Sequence, residues 1–461
     1  MMTDPVVSRD FRPFMPTALV RRIRNVAGGV ALAGGLWLSG CAATESAEAT
    51  ELTEERSEAA QPEETARAAR PEAQSEARSE ARADASRPSQ VSRPTAAEAR
   101  NDGRADRERQ VEEVERRYVI GPITARELGY RIQWQNSFVG ERPRMIEVEG
   151  DAIFVLDREN FLTRLERDNG RRVWRLPVAE SIQEIFGVTY VPERERVYVT
   201  TGGEILVFDA ANGSQIARQR LERIVGAAPV RVGDYFLYGS RNGQLVWHSH
   251  AVGYQWRSYQ VAGAVRVPPV VADNAVAVAG SDGRVSVHDL RSTNRLWTKQ
   301  LLGPVEARPA IGRGTVFVAG TDQHLWAFDL LSGRSVWRHL SESTLRESPV
   351  YVRDQLFQQI PGRGLVRFEP RPERPDGRIL WASPDVRGSV FVHRGERMLV
   401  WDRESRTMAV VDPRRGGLIS ESRLDQASTL ATSDPHGSEI YALSRDGRLV
   451  KLVPLHGEAR R

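Results

Sequence analysis

The single cysteine of the chain, Cys41, lies in a context that indicates covalent lipid attachment. Arg21, Arg22 and Arg24 precede an apolar stretch over residues 26–38, and the segment ends in Leu38-Ser39-Gly40-Cys41. A charged segment, a short apolar core and small residues before a cut are the parts of a secretory signal. The last four residues resemble the bacterial lipobox, so we expect cleavage between Gly40 and Cys41 and lipidation of Cys41.

Two alternatives for this segment are an ordinary signal peptide and a short anchor helix. The apolar stretch is shorter than the roughly 20 residues that a membrane-spanning helix needs, which favours the cleaved signal. The leader is long if translation starts at Met1, and Met15 is the other candidate start. Ala42 follows the acceptor cysteine, and we therefore expect the outer membrane, with the folded domain facing the periplasm.

Other residues with chemical potential carry weaker signals. Trp247-His248-Ser249-His250 places two imidazoles at a spacing that metal ligands can use, but no third ligand is near in sequence, and structural histidines are expected. The glycines of 202–203 and 362–364 lie at strand hairpins, where a phosphate cradle is not expected. The chain contains no Gly-x-Ser-x-Gly sequence. We expect no catalytic residues, no metal and no cofactor.

Residues 41–117 are predicted to form a disordered tether between the lipidated cysteine and a folded domain. Residues 42–117 contain 19 acidic residues, 13 arginines and no aromatic residue. Such a segment cannot bury enough apolar surface to offset its ordering entropy, although a short charged helix over 106–117 is compatible with its sequence. Residues 118–461 carry 40 acidic and 47 basic residues, which is too slight an excess to indicate a nucleic-acid partner.

The folded part repeats with a period of about forty residues, and tryptophans mark the period. The marked positions are Trp134, Trp174, Trp256, Trp297, Trp337 and Trp381, with Ala217 and Glu421 in the two gaps. Successive spacings are 40, 43, 39, 41, 40, 44 and 40 residues. A strict period of this length has a structural cause, so the tryptophans are expected to pack between repeats and not to stack on a ligand.

The clearest repeat runs from Ala327 to Trp337 and contains Asp329 and Gly333. The aspartate can cap the amides of a turn, the glycine can take a positive φ, and the tryptophan offers a flat ring to the next repeat. Four short strands per forty residues, separated by Asn-Gly and Asp-Gly pairs that predict type I′ turns, are typical of a β-propeller blade.

The number of blades follows from the two ends of the repeat array. The last unit, residues 433–455, lacks a fourth strand, whereas the first, around Trp134, is a fourth strand with nothing before it. Joining them predicts an all-β domain, an eight-bladed propeller of four-stranded antiparallel blades closed by the terminal strands, over residues 118–461. A seven-bladed ring with an extra strand is the alternative.

The repeat resembles the Ala-x-Asp-x-x-x-Gly-x-x-x-Trp docking motif of pyrroloquinoline-quinone-like propellers, and the resemblance covers residues from about 129 to 454. A lipobox followed by such a ring is similar to the BamB family of outer-membrane assembly lipoproteins. The resemblance implies a non-catalytic scaffold that is held to the membrane by its lipid and binds an envelope protein, such as a barrel-assembly subunit. The long acidic tether departs from the short one of that family.

Two other functions remain open at this stage. The related dehydrogenases hold the quinone with calcium, and their resemblance implies an adjacent cysteine pair, carboxylate and amide ligands and an aspartate base. A chain with one cysteine cannot supply that pair. A propeller that binds envelope polysaccharide is the second alternative.

The unit between Trp337 and Trp381 departs most from the repeat, because residues 368–377 lengthen its last turn by about four residues. Insertions in repeats gather on one face, where they contact partners or are merely tolerated. This turn is therefore a candidate partner contact.

Overall fold

The computed structural model describes residues 96–434, 436 and 439–455. In this part of the chain, strands form eight antiparallel sheets of four strands each. The first strands of neighbouring sheets contact one another, so they lie nearest a common axis. The domain is therefore the predicted eight-bladed propeller, and the seven-bladed alternative is wrong.

Blades are numbered along the chain, with strands given from the axis outward. Blades 1 to 4 contain β2 (Met145–Glu149), β3 (Ala152–Leu156), β4 (Phe161–Glu166), β5 (Arg172–Pro177); β6 (Ile185–Val191), β7 (Arg196–Thr201), β8 (Glu204–Asp209), β9 (Gln215–Arg220); β10 (Val230–Val232), β11 (Tyr235–Gly239), β12 (Gln244–Ser249), β13 (Tyr254–Gln260); β14 (Val270–Ala272), β15 (Ala275–Ala279), β16 (Arg284–Asp289) and β17 (Arg295–Gln300).

Blades 5 to 8 follow the same plan, and the last of them ends with the first strand of the domain. They contain β18 (Ala310–Gly312), β19 (Thr315–Ala319), β20 (His324–Asp329), β21 (Ser335–Leu340); β22 (Val350–Val352), β23 (Gln355–Ile360), β24 (Gly364–Phe368), β25 (Ile379–Ser383); β26 (Ser389–Arg394), β27 (Arg397–Asp402), β28 (Thr407–Val411), β29 (Leu418–Arg423); β30 (Ala427–Thr432), β31 (Ile440–Ser444), β32 (Leu449–Pro454) and β1 (Tyr130–Asn136).

Apolar side chains fill the spaces between neighbouring blades. The second strands are mostly apolar and buried, and β15 and β19 are buried along their whole length, because a blade covers each of their faces. The fourth strands are more exposed, and β9 is mostly exposed and polar. Apolar clusters at every interface, such as the one between blades 4 and 5, hold the ring together.

The ring closes where the first and last strands of the domain pair. β1 runs antiparallel to β32, with Tyr130 opposite Pro454 and Asn136 opposite Leu449. The Leu455 amide donates to the Gly129 carbonyl at 3.0 Å, and the Arg394 guanidinium donates to the carbonyls of both Gly129 and Leu455. The pairing of β1 with β32 thus supplies the fourth strand that the last blade would otherwise lack.

In the part of the chain that the structure describes, two helices precede β1. Helix α1 (Ala96–Arg117) is polar, and charged pairs one turn apart, such as Arg104 with Glu108, support it. The sequence predicts a short charged helix over 106–117 within the tether, whereas α1 begins at Ala96. Helix α2 (Pro122–Glu127) packs between blades 7 and 8, and a single 3₁₀ turn (Pro192–Arg194) lies in blade 2. None of the described helices is long and apolar enough to cross a membrane.

The turn types differ from the prediction. The Asn-Gly and Asp-Gly pairs do join second and third strands, but in each pair only the glycine has positive φ, as at Gly243 and Gly283. These are longer turns in which glycine takes the last position. Positive φ at two successive residues, which type I′ requires, occurs in the hairpins nearest the axis, at 273–274, 313–314 and 353–354.

Candidate interaction surfaces of the ring

Seven turns on one side of the ring connect the third strand of a blade to its fourth and receive the preceding blade. We call them docking turns; they are residues 166–171, 209–214, 249–254, 289–294, 329–334, 369–378 and 412–417. The same side carries the hairpins between first and second strands, and we call it the lower face. The opposite side carries the loops between blades, and we call it the upper face.

Five of the six tryptophans expected at the docking position lie there. Each packs on the positive-φ glycine of the next docking turn and donates its indole N–H to the carbonyl of the second turn residue. The pairs are Trp134 with Arg167, Trp174 with Ala210, Trp297 with Leu330, Trp337 with Pro370 and Trp381 with Pro413, at 2.8 to 3.1 Å. A buried carbonyl is thereby satisfied at each of these interfaces.

The repeat from Ala327 to Trp337 shows why the motif has its form. Oδ1 of Asp329 accepts the Ser332 amide at 3.0 Å, and this bond holds the pKa of Asp329 below its usual range. A Cβ on Gly333 would lie 2.6 Å from the Trp297 ring, so the position needs glycine for space as well as for its φ of 66°. Ala327 is fully buried opposite Trp337.

The expectation for Trp256 is corrected, because this residue does not occupy the docking position. The strand register places Arg257 opposite Trp247, where the other blades have a tryptophan such as Trp297 opposite Val287. A shift of one residue turns the side chain to the other face of the sheet. Trp256 is 37% exposed and packs on Tyr235, with ring centroids 5.0 Å apart.

A second set of donors was not anticipated from the sequence. Arg164, Arg367 and Lys451 lie opposite Trp174, Trp381 and Trp134, and each donates to the same carbonyl as its partner indole, at 2.7, 3.0 and 3.1 Å. Arg164 and Arg367 stand in the alanine position of the motif, two residues before Glu166 and Glu369. That replacement was the available signal.

Where the docking tryptophan is missing, the residue two positions further along the strand replaces it. Gln219, two residues after Ala217, donates to the His250 carbonyl at 2.9 Å, and its other amide atom lies 3.0 Å from His248 Nε2. Tyr259, two residues after Arg257, bonds the Thr293 hydroxyl at 3.1 Å. The same face of the strand therefore supplies the contact in both cases.

His248 and His250 are buried at this interface and serve as packing groups. Burial lowers the pKa of His248 to about 4, with the neighbouring His250 adding to the shift, and burial also lowers the pKa of His250. The Nε2 atoms point to different partners, Gln219 and the Gly233 carbonyl. Among the described residues, no group of three or more His, Cys, Asp or Glu is placed to hold a metal ion.

The described residues also offer no fit to the quinone and calcium of the related dehydrogenases. They contain no such metal-binding group, and the aspartates at the ends of third strands, such as Asp329, are occupied in capping turns. We therefore derive no reaction through that cofactor.

The long docking turn of blade 6 is bound to blade 5. Arg371 donates to the Thr315 hydroxyl at 2.9 Å and to the Gly314 carbonyl at 2.6 Å, and it pairs with Asp329 at 3.3 Å. The Pro375 carbonyl accepts the Arg338 amide at 2.9 Å. The insertion thus fastens two blades, which gives the extra residues a structural use.

Three loops of the upper face carry exposed apolar side chains. Ile182 is 88%, Leu302 92% and Ile224 54% exposed, and each lies in a loop between blades. Beside Ile224, the Arg241 guanidinium pairs with Glu184 at 2.8 Å and covers the Phe186 ring. These loops are therefore a candidate surface for binding protein.

One titratable group near the axis was also missed. Glu147 lies on β2 at a position that Val230, Val270, Ala310 and Val350 fill in blades 3 to 6. Burial raises the pKa of Glu147 to about 7, and Glu149 adds to the shift. No sequence signal distinguishes this glutamate, because neighbouring Glu149 is exposed in the same strand.

The expected cleavage and lipidation residues, Gly40 and Cys41, lie outside the described residues. So do the signal segment and residues 41–95 of the tether. These remain predictions from the sequence.

Taken together, the closed ring, the docking turns and the carbonyl-bound tryptophans define an eight-bladed propeller of the pyrroloquinoline-quinone-like class. The model of the family described as "Outer membrane protein assembly factor BamB" matches residues 130–239 and 236–458. The chain belongs to this family.

Two solved structures show the same fold. The crystal structure of BamB from Moraxella catarrhalis is 19% identical, with a TM-score of 0.53 over 68% of this chain and 94% of that one. The computationally designed Ika8 protein is 13% identical, with a TM-score of 0.56 over 70% of this chain and 99% of that one. No curated protein sequence matches the chain.

Proposed function

We propose that the chain is a non-catalytic scaffold for outer-membrane protein assembly, held by a lipid on Cys41 and facing the periplasm. The observation that carries the proposal is the family match, which spans the whole ring. Every docking motif described above is used to hold blades together, which leaves the loops free for partner binding.

The upper face is the proposed site for a barrel-assembly subunit. It exposes Ile182, Ile224 and Leu302 in three separate loops. The end of α1 is fixed on the same face, because Gln426 and Arg448 donate to the carbonyls of Arg116 and Arg117 at 2.9 and 3.1 Å. The chain from the anchor therefore reaches the ring at the face that carries the apolar residues.

The test uses the full lipidated chain in detergent and measures its binding to a purified barrel-assembly subunit. Ile182→Asp combined with Ile224→Asp should weaken binding at least about tenfold, since each replaces an apolar contact with a charge. The control is Leu331→Asp, a leucine of the lower face that is 71% exposed, between the values of Ile182 and Ile224. Unchanged binding by the double variant, or loss with the control alone, would exclude the upper face.

The anchor is tested separately by membrane fractionation. Cys41→Ser should release the chain from membranes after a high-salt wash, because acyl chains dominate the affinity of such proteins for the bilayer. A variant that stays with the membrane would show that lipid on Cys41 is not what holds it there.

A further inference from the structure

The outer edge of the closing blade borders a groove of about 750 Å³. The groove lies between β1 and the segment that leads from α1 into α2, and we call it the side groove. Its lining includes Arg117, Tyr118, Arg126, Arg131, Gln133 and Leu455. None of the exposed apolar residues Ile182, Ile224 and Leu302 lines it.

One wall of the side groove is a strand edge. β1 is the last strand of its sheet and pairs only with β32. Its outward backbone groups have no backbone partner in the described residues. Such an edge can accept an additional strand, because the unpaired N–H and C=O groups repeat at the spacing of an extended peptide.

The opposite wall is fixed in place. Val119, Ile120, Ala125 and Leu128 are buried in the apolar cluster between blades 7 and 8. The Gln135 side chain accepts the Val119 amide at 2.9 Å and donates to the Arg117 carbonyl at 3.0 Å. The outer strands of the other blades lie between a docking turn and a loop to the next blade, whereas β1 is preceded by α1 and α2. This wall is therefore a feature of the closing blade.

The charge of the side groove selects its occupant. Three arginines line it, and none of its lining residues is acidic. Arg117 pairs with Glu113 on α1, whereas no ion pair of Arg126 or Arg131 is found in the described part of the chain. Both of these side chains are exposed. Carboxylates on the occupant would meet two available guanidinium groups.

We propose that the side groove binds an extended, carboxylate-bearing peptide of a partner protein, which adds to β1 as a fifth strand. Backbone hydrogen bonds to β1 hold the peptide, and Arg126 and Arg131 select for its carboxylates. Two segments of this chain fit less well. Residues 456–461 follow Leu455 but carry one carboxylate, Glu458, against Arg460 and Arg461. The acidic residues 42–66 are rich in Glu and Ala, which are poor strand formers.

The probe is a fluorescent peptide of about eight residues in which Glu alternates with Val and Thr, a length typical of strands. Its binding to the full chain in detergent is measured by anisotropy, beside a Lys version and a version N-methylated at alternate amides. We expect the acidic peptide to bind, the Lys version to bind at least about tenfold more weakly, and N-methylation to abolish binding.

Arg126→Glu combined with Arg131→Glu should weaken binding at least about tenfold. Arg295→Glu, an exposed arginine of the outer strand of blade 4, is the matched control and should leave it unchanged. The Ile182 and Ile224 variants should bind the peptide normally, which separates this site from the proposed function.

Three results would overturn the proposal. Equal binding of the N-methylated peptide would mean charge adhesion without strand addition. Equal binding by the double arginine variant would place the peptide elsewhere. If only a chain lacking residues 42–66 bound the peptide, the acidic tether would be the occupant.

Discussion

Two blade interfaces use different donors for equivalent acceptors. In both the interface of blades 8 and 1 and that of blades 2 and 3, the acceptor is the carbonyl of the second docking-turn residue, which we call the docking carbonyl. At the first, Trp134 and Lys451 both donate to the Arg167 carbonyl, and Lys451 and Arg167 pair with Glu439 at 2.8 Å. At the second, the neutral Gln219 donates to the His250 carbonyl beside buried His248. At these two interfaces the acceptor is the equivalent backbone carbonyl and the donor varies, because the buried carbonyl must be satisfied.

The two interfaces differ in how they respond to charge. Burial raises the pKa of Glu439, but hydrogen bonds from Lys451, Tyr441 and Arg167 outweigh it and hold that pKa below its usual range. The interface of blades 8 and 1 therefore depends on ionised groups, whereas that of blades 2 and 3 depends on His248 staying neutral. The following predictions test this difference.

Lys451→Met should lower the free energy of unfolding by about 3 kcal/mol, because it leaves a partly buried carboxylate with one fewer partner. Lys451 is 2% exposed and lies 2.8 Å from Glu439. Urea denaturation of the full chain measures the change. The control is Arg284→Met, which removes a more exposed ion pair in which Arg284 lies 3.5 Å from Asp282. This variant should cost less than about 1 kcal/mol. Equal losses for the two variants would make the buried pair no stronger than a surface one.

Acid should weaken the interface of blades 2 and 3 through His248. Its pKa falls from 6.5 when unfolded to about 4 when folded, so its contribution is present above pH 6.5 and is lost as the pH falls toward 4. The loss is about 2 to 3 kcal/mol. His248→Phe, which copies Phe328 of blade 5, should reduce this slope in urea titrations at pH 7 to 4, although burial also lowers the pKa values of His250, His288, His339 and His393.

The same variant should cost about 1 kcal/mol at pH 7, because Gln219 loses a hydrogen-bond partner. His436→Phe, at an exposed position, should keep the wild-type slope. A slope unchanged by His248→Phe would mean that another group governs the acid response.

Shared donors should compensate for one another. Trp174 and Arg164 donate to the Ala210 carbonyl, so losing one still leaves that carbonyl bonded. The double variant Trp174→Phe with Arg164→Met should cost about 1 kcal/mol more than the sum of the single variants. Additive losses in a double-mutant cycle would show that the two donors act independently.

The smallest effect is expected at Trp256. Because its ring faces away from the docking turn of blade 4 and is 37% exposed, Trp256→Leu should cost less than about 1 kcal/mol. Trp297→Leu, at a true docking position with 7% exposure, should cost about 3 kcal/mol. Thermal or urea unfolding compares them, and similar costs would contradict the register described for blade 3.

Much of the fold could be predicted because its signals are local. The strands β10, β14, β18 and β22 begin directly after the prolines at 229, 269, 309 and 349, and turn residues recur with the repeat. The residue at the docking position of blade 7 was harder to explain from the sequence. Glu421 stands there because blade 8 has no docking turn, its third and fourth strands being the two ends of the domain, and α2 fills that place instead.

The sequence by itself determined the period, the eight blades and their closure, since each blade repeats the same turn chemistry within about forty residues. Only the tertiary structure decided which side chains meet the docking carbonyls. Those acceptors lie on the next blade, 33 residues from Trp297 and 46 from Arg164. A bulge occurs in the third–fourth strand pair of every blade, and in blade 3 the register behind it places Arg257, not Trp256, opposite Trp247. The local period of the sequence predicts neither the register behind the bulge nor the position of an acceptor on the next blade.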